Sequence, residues 1–365
     1  MDVKRLPEIA RSVSAMYLSR LGIRWLPYSL FWYVTWRCNS RCLHCEFGKS
    51  GTGSFMNDLR GDELPLEDVK KGITEAKSWG ARHMAFAGGE PFIREDFLEI
   101  IRHCKKEGYV VGVSTNGYLL ANEDFASKVL ATGVDRIDIS LDSPGKLHDD
   151  LRGVSGAFDL VNQAIANLHK GKKSYHFYLG INTVVSGFNY RQLPAIFEYA
   201  AEKHLDGVGL QPFHYTQARA KELIPSFLLN PQQISELKII LAGILNKYGH
   251  LLKNSSFFVK NIASFYENQH MPKFSCYGGW QEAHIFPDGT VGICCFNRIK
   301  SSLRDKNLRE LLLSDEFKEA IQKAKVKDCP GCWSPPVHEY NLLFKPKEIL
   351  SAIELLKIFL RWTKK

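Results

Sequence analysis

From residue 29 to residue 212 the chain alternates between short apolar runs and longer amphipathic stretches. The apolar runs predict strands at 29–37, 83–88, 109–114, 136–141, 176–185 and 207–212. The amphipathic stretches predict helices near 65–79, 95–107, 123–132, 156–170 and 190–203. Strand followed by helix in this repeated order is typical of βαβ units that build one parallel sheet. Right-handed crossovers curl such a sheet, so we predict an α/β fold with a partial (β/α)6 TIM-like barrel.

The same pattern divides the chain into five regions. A β-hairpin is predicted at 283–291, with Asp288-Gly289 as its turn, and a helical segment follows near 307–325. These elements form a small C-terminal hairpin-plus-helix domain. The predicted regions are an amphipathic helical segment at 1–28, the barrel at 29–235, a connecting helical region at 236–270, the small domain at 271–335 and an amphipathic helix at 336–365.

Composition adds only weak constraints on partners. The net charge of +9 favours anionic partners, but no nucleic-acid recognition motif accompanies it, so no nucleic acid is expected. The chain has no run of eighteen apolar residues, so no membrane span is predicted. Arg11, Arg20 and Arg24 interrupt any signal-peptide pattern. We therefore expect a cytoplasmic protein. The basic, amphipathic terminal helices indicate either packing on the barrel or peripheral contact with a membrane.

Eight of the nine cysteines fall into two groups, at 38–45 and 276–332, whereas Cys104 lies alone on a predicted helix. An odd number of cysteines in a reducing compartment argues against a disulfide framework. Metal binding explains the grouping better than core packing does. Cys104 is predicted to be a small buried hydrophobic residue.

The first group has the spacing Cys38-x3-Cys42-x2-Cys45, directly after the first strand. Three thiolates on one short loop suit three corners of a four-iron cluster and leave the fourth iron open for chemistry. The alternative is structural zinc, with His44 as the fourth ligand.

Polar or glycine-rich segments follow the next three strands as well: Gly88-Gly89-Glu90-Pro91, Ser114-Thr115-Asn116-Gly117 and Ser140-Leu141-Asp142. In such barrels, functional residues cluster where strands end and βα loops begin. With the cysteine loop, these motifs resemble the radical S-adenosylmethionine (radical SAM) superfamily over roughly residues 30–215.

The resemblance implies a [4Fe-4S] cluster on Cys38, Cys42 and Cys45, with S-adenosylmethionine bound to the open iron. Reductive cleavage of that cofactor would give a 5′-deoxyadenosyl radical, which takes a hydrogen atom from the substrate. By the same resemblance, the cofactor-binding residues are Gly88, Gly89, Glu90, Ser114, Asn116, Ser140 and Arg152. Ser140 and Arg152 resemble the pair that holds the methionine carboxylate in family members with related C-terminal domains. The chain departs from several relatives in having Ala87, a nonpolar residue, directly before the Gly-Gly-Glu motif.

The second cysteine group comprises Cys276, Cys294 and the pair Cys329-x2-Cys332. With the hairpin and helix between them, these residues resemble the auxiliary-cluster domain called SPASM, and more closely its shortened form, twitch, which holds one cluster. The implied ligands are Cys276, Cys294, Cys329 and Cys332. Cys295 is expected to face away, because consecutive strand residues point to opposite sides. A four-cysteine zinc site is the alternative.

Taken together, the sequence predicts a radical SAM enzyme with two [4Fe-4S] clusters, the auxiliary one assisting electron transfer. The expected partners are an electron donor such as ferredoxin or flavodoxin and a small-molecule, lipid-linked or peptide substrate. Substrate-contacting residues are expected near Asn182, Gln211, His214 and Tyr215. The alternatives are a peptide maturase and a non-catalytic iron-sulfur or zinc-binding scaffold.

Overall fold

We describe the fold from a computed structural model of the 365-residue chain. It describes residues 26–45, 62–214, 221–268, 276, 278–325, 332–335 and 338–339. Tyr215, Cys329 and nearly all of the two predicted terminal segments, 1–28 and 336–365, lie outside these residues. No helix in the described ranges is long and apolar enough to cross a membrane.

Within those ranges the secondary structure follows the predicted alternation. The strands are β1 Ser29–Tyr33, β2 His83–Ala87, β3 Val110–Thr115, β4 Arg136–Ser140, β5 Tyr178–Val185, β6 Gly207–Pro212, β7 Glu282–Ile285, β8 Thr290–Gly292 and β9 Arg298–Ser302. The helices are α1 Leu66–Ser78, α2 Phe97–Lys106, α3 Glu123–Leu130, α4 Lys146–Arg152, α5 Ala157–Gly171, α6 Leu193–Glu202, α7 Ile224–Phe227, α8 Pro231–Tyr248, α9 Ser256–Glu267, α10 Leu308–Leu313 and α11 Asp315–Lys325.

The described strands form one sheet in the order β6-β5-β4-β3-β2-β1-β7-β8-β9. Strands β1 to β6 and β7 run parallel, while β8 and β9 return antiparallel. The sheet is not closed, so the predicted partial α/β barrel is confirmed. The predicted hairpin is also confirmed, and its first strand, β7, pairs directly with β1. The C-terminal hairpin therefore continues the barrel sheet.

The two faces of the sheet have different partners. On β1, Leu30 and Trp32 are buried in the main core, and the Trp32 ring lies against Gly72 of α1. Phe31 and Tyr33 point to the opposite face, where both pack beside His284 of β7. Because side chains alternate along a strand, this second face lines the inside of the barrel.

Several elements differ in detail from the prediction. The predicted helix at 307–325 is two helices, because Ser314 is extended and its hydroxyl accepts a hydrogen bond from Phe317 N at the start of α11. Helix α4 was not predicted. It is only seven residues long and lies between Gly145 and Gly153, both with positive φ. Strand β9 was also not predicted.

Candidate active site

The cysteine loop leaves the carboxyl end of β1 and is held there by the Gly-Gly-Glu segment. Gly89 N donates to Thr35 O at 2.8 Å, and Glu90 N donates to Arg37 O at 2.8 Å. A Cβ atom at position 89 would lie 2.0 Å from Arg37 O, so this contact requires glycine. The resemblance implies that Gly88 and Gly89 bind the cofactor. In the structure they also allow close approach between two loops.

The other side of the cysteine loop pairs with the end of α4. Arg41 N donates to Arg152 O and Leu43 N donates to Leu151 O, both at 2.9 Å. Gly153 ends the helix in the left-handed region, with φ 63°, and a Cβ there would meet Arg41 O at 2.7 Å. Residues 38–45 are thus fixed between the β2 loop and α4.

Glu90 is buried, and its carboxylate links two loops. It accepts hydrogen bonds from Phe92 N at 3.2 Å, Thr115 Oγ1 at 2.7 Å and Asn116 N at 2.7 Å. Burial raises the pKa of Glu90 to about 7, although these three donors favour the charged form. Its described contacts hold the loop after β3 against the loop after β2.

Asn116 extends this connection to the cysteine loop. Its Nδ2 donates to Asn39 Oδ1 at 2.6 Å and lies 3.4 Å from Ser40 Oγ. Ser114 and Ser140 sit at the same end of the sheet, half-buried on the inner face of β3 and β4. The structure therefore brings the predicted site residues of four successive strands to one rim.

Arg152 was predicted to bind the cofactor carboxylate, and it lies buried beside the cysteines. Its Nη2 is 2.9 Å from Asp142 Oδ2, and its Nη1 is 3.7 Å from Cys42 Sγ. Asp142 also accepts from Val184 N at 3.0 Å. Burial opposes ionisation of Asp142, yet Arg152, followed by the nearby His44, holds its pKa below the usual value. The guanidinium is therefore held by a buried ion pair and is not a solvated surface charge.

The same guanidinium keeps one donor for a ligand. Arg152 Nε is buried and has no hydrogen-bond acceptor among the described residues. Buried donors are nearly always paired in native proteins, so this N–H marks a place where an acceptor is missing. A carboxylate suits it, because arginine presents its donors in a planar fork. This donor set fits a ligand carboxylate next to Cys42.

The residues proposed for the second cysteine group are only partly covered. Cys276 and Cys294 pack against the main core, whereas Cys295 packs with Cys45 against a separate aromatic cluster. That cluster consists of Tyr33, Trp36 and Phe286. Cys294 and Cys295 thus contact different surroundings, but they lie in the connection between β8 and β9 and not in a strand as predicted.

Cys332 is buried next to the barrel. The following residue, Trp333, donates its backbone N–H to His214 Nε2 at 3.3 Å, just beyond β6, and its indole N–H to Phe258 O at 3.1 Å. The end of the second cysteine group is therefore attached to the barrel wall.

Within the described residues, no three His, Cys, Asp or Glu side chains are grouped so as to bind one metal ion. The ligands of a four-iron cluster bind different iron atoms and need not converge on one point.

The sequence matches two known families over the regions just described. Residues 32–200 match the radical SAM superfamily, and residues 276–333 match an iron-sulfur cluster-binding domain called SPASM. This chain belongs to the radical SAM superfamily. The superfamily and the SPASM-type domain expected from the sequence motifs are confirmed, and together they imply iron-sulfur clusters and S-adenosylmethionine binding. The shortened form with one cluster stays a prediction.

Curated relatives match the chain over about half of its length. An AdoMet-dependent heme synthase of Methanosarcina barkeri is 34% identical over 177 residues, which is 48% of this chain and 48% of that protein. An Fe-coproporphyrin III synthase of the same organism is 32% identical over 175 residues, 48% of this chain and 41% of that protein. The chain spans about half the length of the curated relatives it matches.

Among solved structures, Streptococcus suis SuiB bound to its precursor peptide SuiA is similar over 93% of this chain and 77% of that chain, with a TM-score of 0.63. The sequence identity is 17%, so this similarity shows the fold alone.

Sequence reasoning did not single out two buried groups of the barrel. Asp142 was named only as the end of a motif, and its ion pair with Arg152 was not foreseen. Lys253, between α8 and α9, carries no motif at all, yet its ammonium lies inside the barrel, 2.6 Å from Asp138 Oδ1. The position of Asp142 directly after β4 was the available signal, whereas nothing local marks Lys253.

Proposed function

We propose that this protein is a radical SAM enzyme that binds one catalytic [4Fe-4S] cluster through Cys38, Cys42 and Cys45 and one auxiliary cluster in its SPASM domain. The observation that carries the proposal is the fixed cysteine loop with the buried Arg152 beside Cys42 and one unused N–H. When bound, S-adenosylmethionine at such a cluster supplies a 5′-deoxyadenosyl radical for hydrogen abstraction.

The residues of the rim have separate tasks in this proposal. Arg152 Nε, with Ser140 nearby at the end of β4, holds the cofactor carboxylate. The carbonyls of Gly88 and Gly89 accept from its amine. Glu90 and Asn116 act as positioning residues, because their described hydrogen bonds join the loops of β2 and β3 to the cysteine loop. Ser114 lines the inner face beside them.

The auxiliary cluster is assigned to Cys276, Cys294, Cys329 and Cys332. The packing of Cys276 and Cys294 against the same core supports Cys294 over Cys295 as the ligand. With four protein ligands the cluster has no open iron, so we assign it electron transfer. Cys45 and Cys295 both pack against the aromatic cluster of Tyr33, Trp36 and Phe286.

The relatives suggest the first substrates to examine. Two of them are named as a heme synthase and an Fe-coproporphyrin III synthase, so we propose an iron-bound tetrapyrrole as the first substrate to test. A low-potential donor such as ferredoxin or flavodoxin would supply the electron.

Iron content after anaerobic reconstitution tests the cluster assignment. The wild type should contain about eight irons, and Cys276→Ala about four, because only the auxiliary cluster is lost. Cys104→Ala is the matched control, since Cys104 is buried in α2 away from both groups and should leave the iron content unchanged. About four irons and one zinc in the wild type would show that the C-terminal site is structural.

Cofactor cleavage separates an enzyme from a scaffold. With dithionite and S-adenosylmethionine, the wild type and Cys276→Ala should release 5′-deoxyadenosine, whereas Cys42→Ala should release none. No release by the wild type with a fully assembled cluster would favour the non-catalytic scaffold.

A further inference from the structure

A buried charged cluster lies inside the barrel, on strands that carry no cysteine. Asp138 of β4 contacts two cations: Arg136 Nε at 2.5 Å and Lys253 Nζ at 2.6 Å. Lys253 Nζ also donates to Asn182 Oδ1 of β5 at 2.6 Å. Asp138 and Lys253 are both buried. Two cations share one carboxylate here, so the cluster of Arg136, Asp138 and Lys253 carries a net positive charge when Lys253 is protonated.

The barrel is built to admit this lysine. The segment that carries Lys253 pairs with the edge strand β6, because Lys253 N donates to Val208 O at 2.9 Å. Its side chain then crosses Gly207 and Gly209, where an added Cβ would lie 3.0 Å from Lys253 Cγ and 3.3 Å from its Nζ. An added Cβ at Gly180 would lie 2.8 Å from Asp138 Oδ1. Three inner-face glycines of β5 and β6 thus leave the space that the cluster fills.

The cluster lies just below the proposed active site. Asn182 lies in the middle of β5 and pairs in register with Ser140, the last residue of β4, and with Gly209 of β6. Asn182 is half-buried, so its side chain is accessible from the inside of the barrel. Ligands of such barrels bind at the carboxyl end of the strands. Lys253 and Asn182 lie together on the inner face, one strand away from Ser140 at the rim of β4, and we call this pair the floor of the barrel.

The available hydrogen-bonding groups on this floor are donors. An ammonium has three N–H groups, and the described residues give Lys253 two acceptors, Asp138 and Asn182. Since Asn182 Oδ1 faces the lysine, its Nδ2 amide points elsewhere, and no described residue is found to accept from it. Two donors on a positively charged floor are complementary to an anion.

We propose that Lys253 and Asn182 bind a carboxylate group of the substrate, which orients the rest of the molecule toward the cysteine loop. A single carboxylate matches the single surplus charge of the cluster. Burial, and then the charge of Arg136, lowers the pKa of Lys253 to about 7, and a bound carboxylate would favour the charged lysine. The inference rests on the proposed function only in taking this end of the barrel as the substrate site.

Binding of paired acids and esters tests this assignment. The probes are propanoate, succinate, a tripeptide ending in a free carboxylate and coproporphyrin III, each beside its methyl ester. For the reconstituted protein, the shift in Tm identifies binding, and equilibrium dialysis gives Kd. We expect at least one acid to bind and its ester to fail. Lys253→Met should raise the Kd of that acid by about tenfold or more, as expected for the loss of one charge-assisted hydrogen bond.

Two further variants keep the test decisive. Lys260→Met removes an exposed lysine seven residues away and should bind like the wild type. Asn182→Asp keeps an acceptor for Lys253 but removes the amide donor and the surplus charge, so acid binding should be lost while the Tm of the free protein is maintained. If Lys253→Met does not fold, acid binding by Asn182→Asp alone decides whether the proposal holds.

The proposal is overturned if no acid binds, if acids and esters bind alike, or if Asn182→Asp and Lys253→Met bind the acid as the wild type does. Release of 5′-deoxyadenosine without substrate is measured on the same preparations. Its absence in the wild type would defeat the proposed function while leaving the carboxylate result to stand by itself.

Discussion

Replacing Asp142 by asparagine should destabilise the protein far more than the same change at an exposed ion pair. Asp142 is 1% exposed and lies 2.9 Å from Arg152 Nη2. An asparagine can still accept from Val184 N, but its amide then turns a donor toward the guanidinium. Removing one partner of a buried ion pair leaves an uncompensated buried charge, which costs about 3–5 kcal/mol.

The pair Lys146–Asp150 is the matched control, and it lies in α4, the short helix that also carries Arg152. Its side chains are 84% and 55% exposed, and its nearest N–O distance is 2.6 Å. Exposed pairs four residues apart contribute little to stability, because water and salt screen the two charges. Asp150→Asn should therefore cost far less than Asp142→Asn, although both variants lose one carboxylate charge at a similar distance.

Equilibrium urea unfolding of the cluster-free, reduced protein measures both costs. A double-mutant cycle with Arg152→Met isolates the pair itself. The double variant should be more stable than the sum of the two single costs predicts, by about 2 kcal/mol or more. The reason is that it leaves no unpaired buried charge. Equal costs for Asp142→Asn and Asp150→Asn, or a coupling energy near zero, would refute the reasoning.

Three further results are expected. Burial lowers the pKa of His148 to about 4, so the unfolded chain binds more protons than the folded chain below about pH 6.5. His148 therefore removes up to about 3 kcal/mol of stability as pH falls from about 6.5 to about 4. In pH-dependent unfolding, His148→Asn should lack this contribution, while that of His44, whose pKa is also about 4, remains. Gly89→Ala should destabilise the protein and reduce its iron content, whereas Gly243→Ala, which meets no atom within 4 Å in α8, should stabilise it by about 0.5–1 kcal/mol in urea unfolding. Iron analysis should show loss of the auxiliary cluster in Cys294→Ala and retention in Cys295→Ala; the opposite result would exchange their roles.

The local order of the barrel could be predicted from sequence because each element carries its own pattern. The strand β6 was predicted with the bounds that it has, and β2 to β5 within a few residues. Strand β1 is shorter than predicted. After Val34 the backbone turns to pair with the Gly-Gly-Glu loop, a tertiary contact that apolar alternation cannot show.

In the candidate site, too, local motifs could be predicted from sequence and tertiary contacts could not. The cysteine loop and the Gly-Gly-Glu segment are contiguous motifs, so their presence at the rim could be predicted. The partner of Arg152 could not, because Asp142 lies ten positions away across a turn and a helix. The pairing of β7 with β1 was also hidden, since about 250 residues separate the strands.

Lys253 is the extreme case, and it explains why the substrate end of the site was the hardest part to predict. Its ammonium reaches Asp138 from 115 positions away in sequence. The signal is spread over glycines on two strands, each of which taken alone is an ordinary barrel glycine. Cofactor chemistry constrains several adjacent residues at once, whereas one substrate contact constrains a single side chain and the space around it. Motifs therefore indicate the reaction class, while the residues that select the substrate become visible only when the strands are assembled.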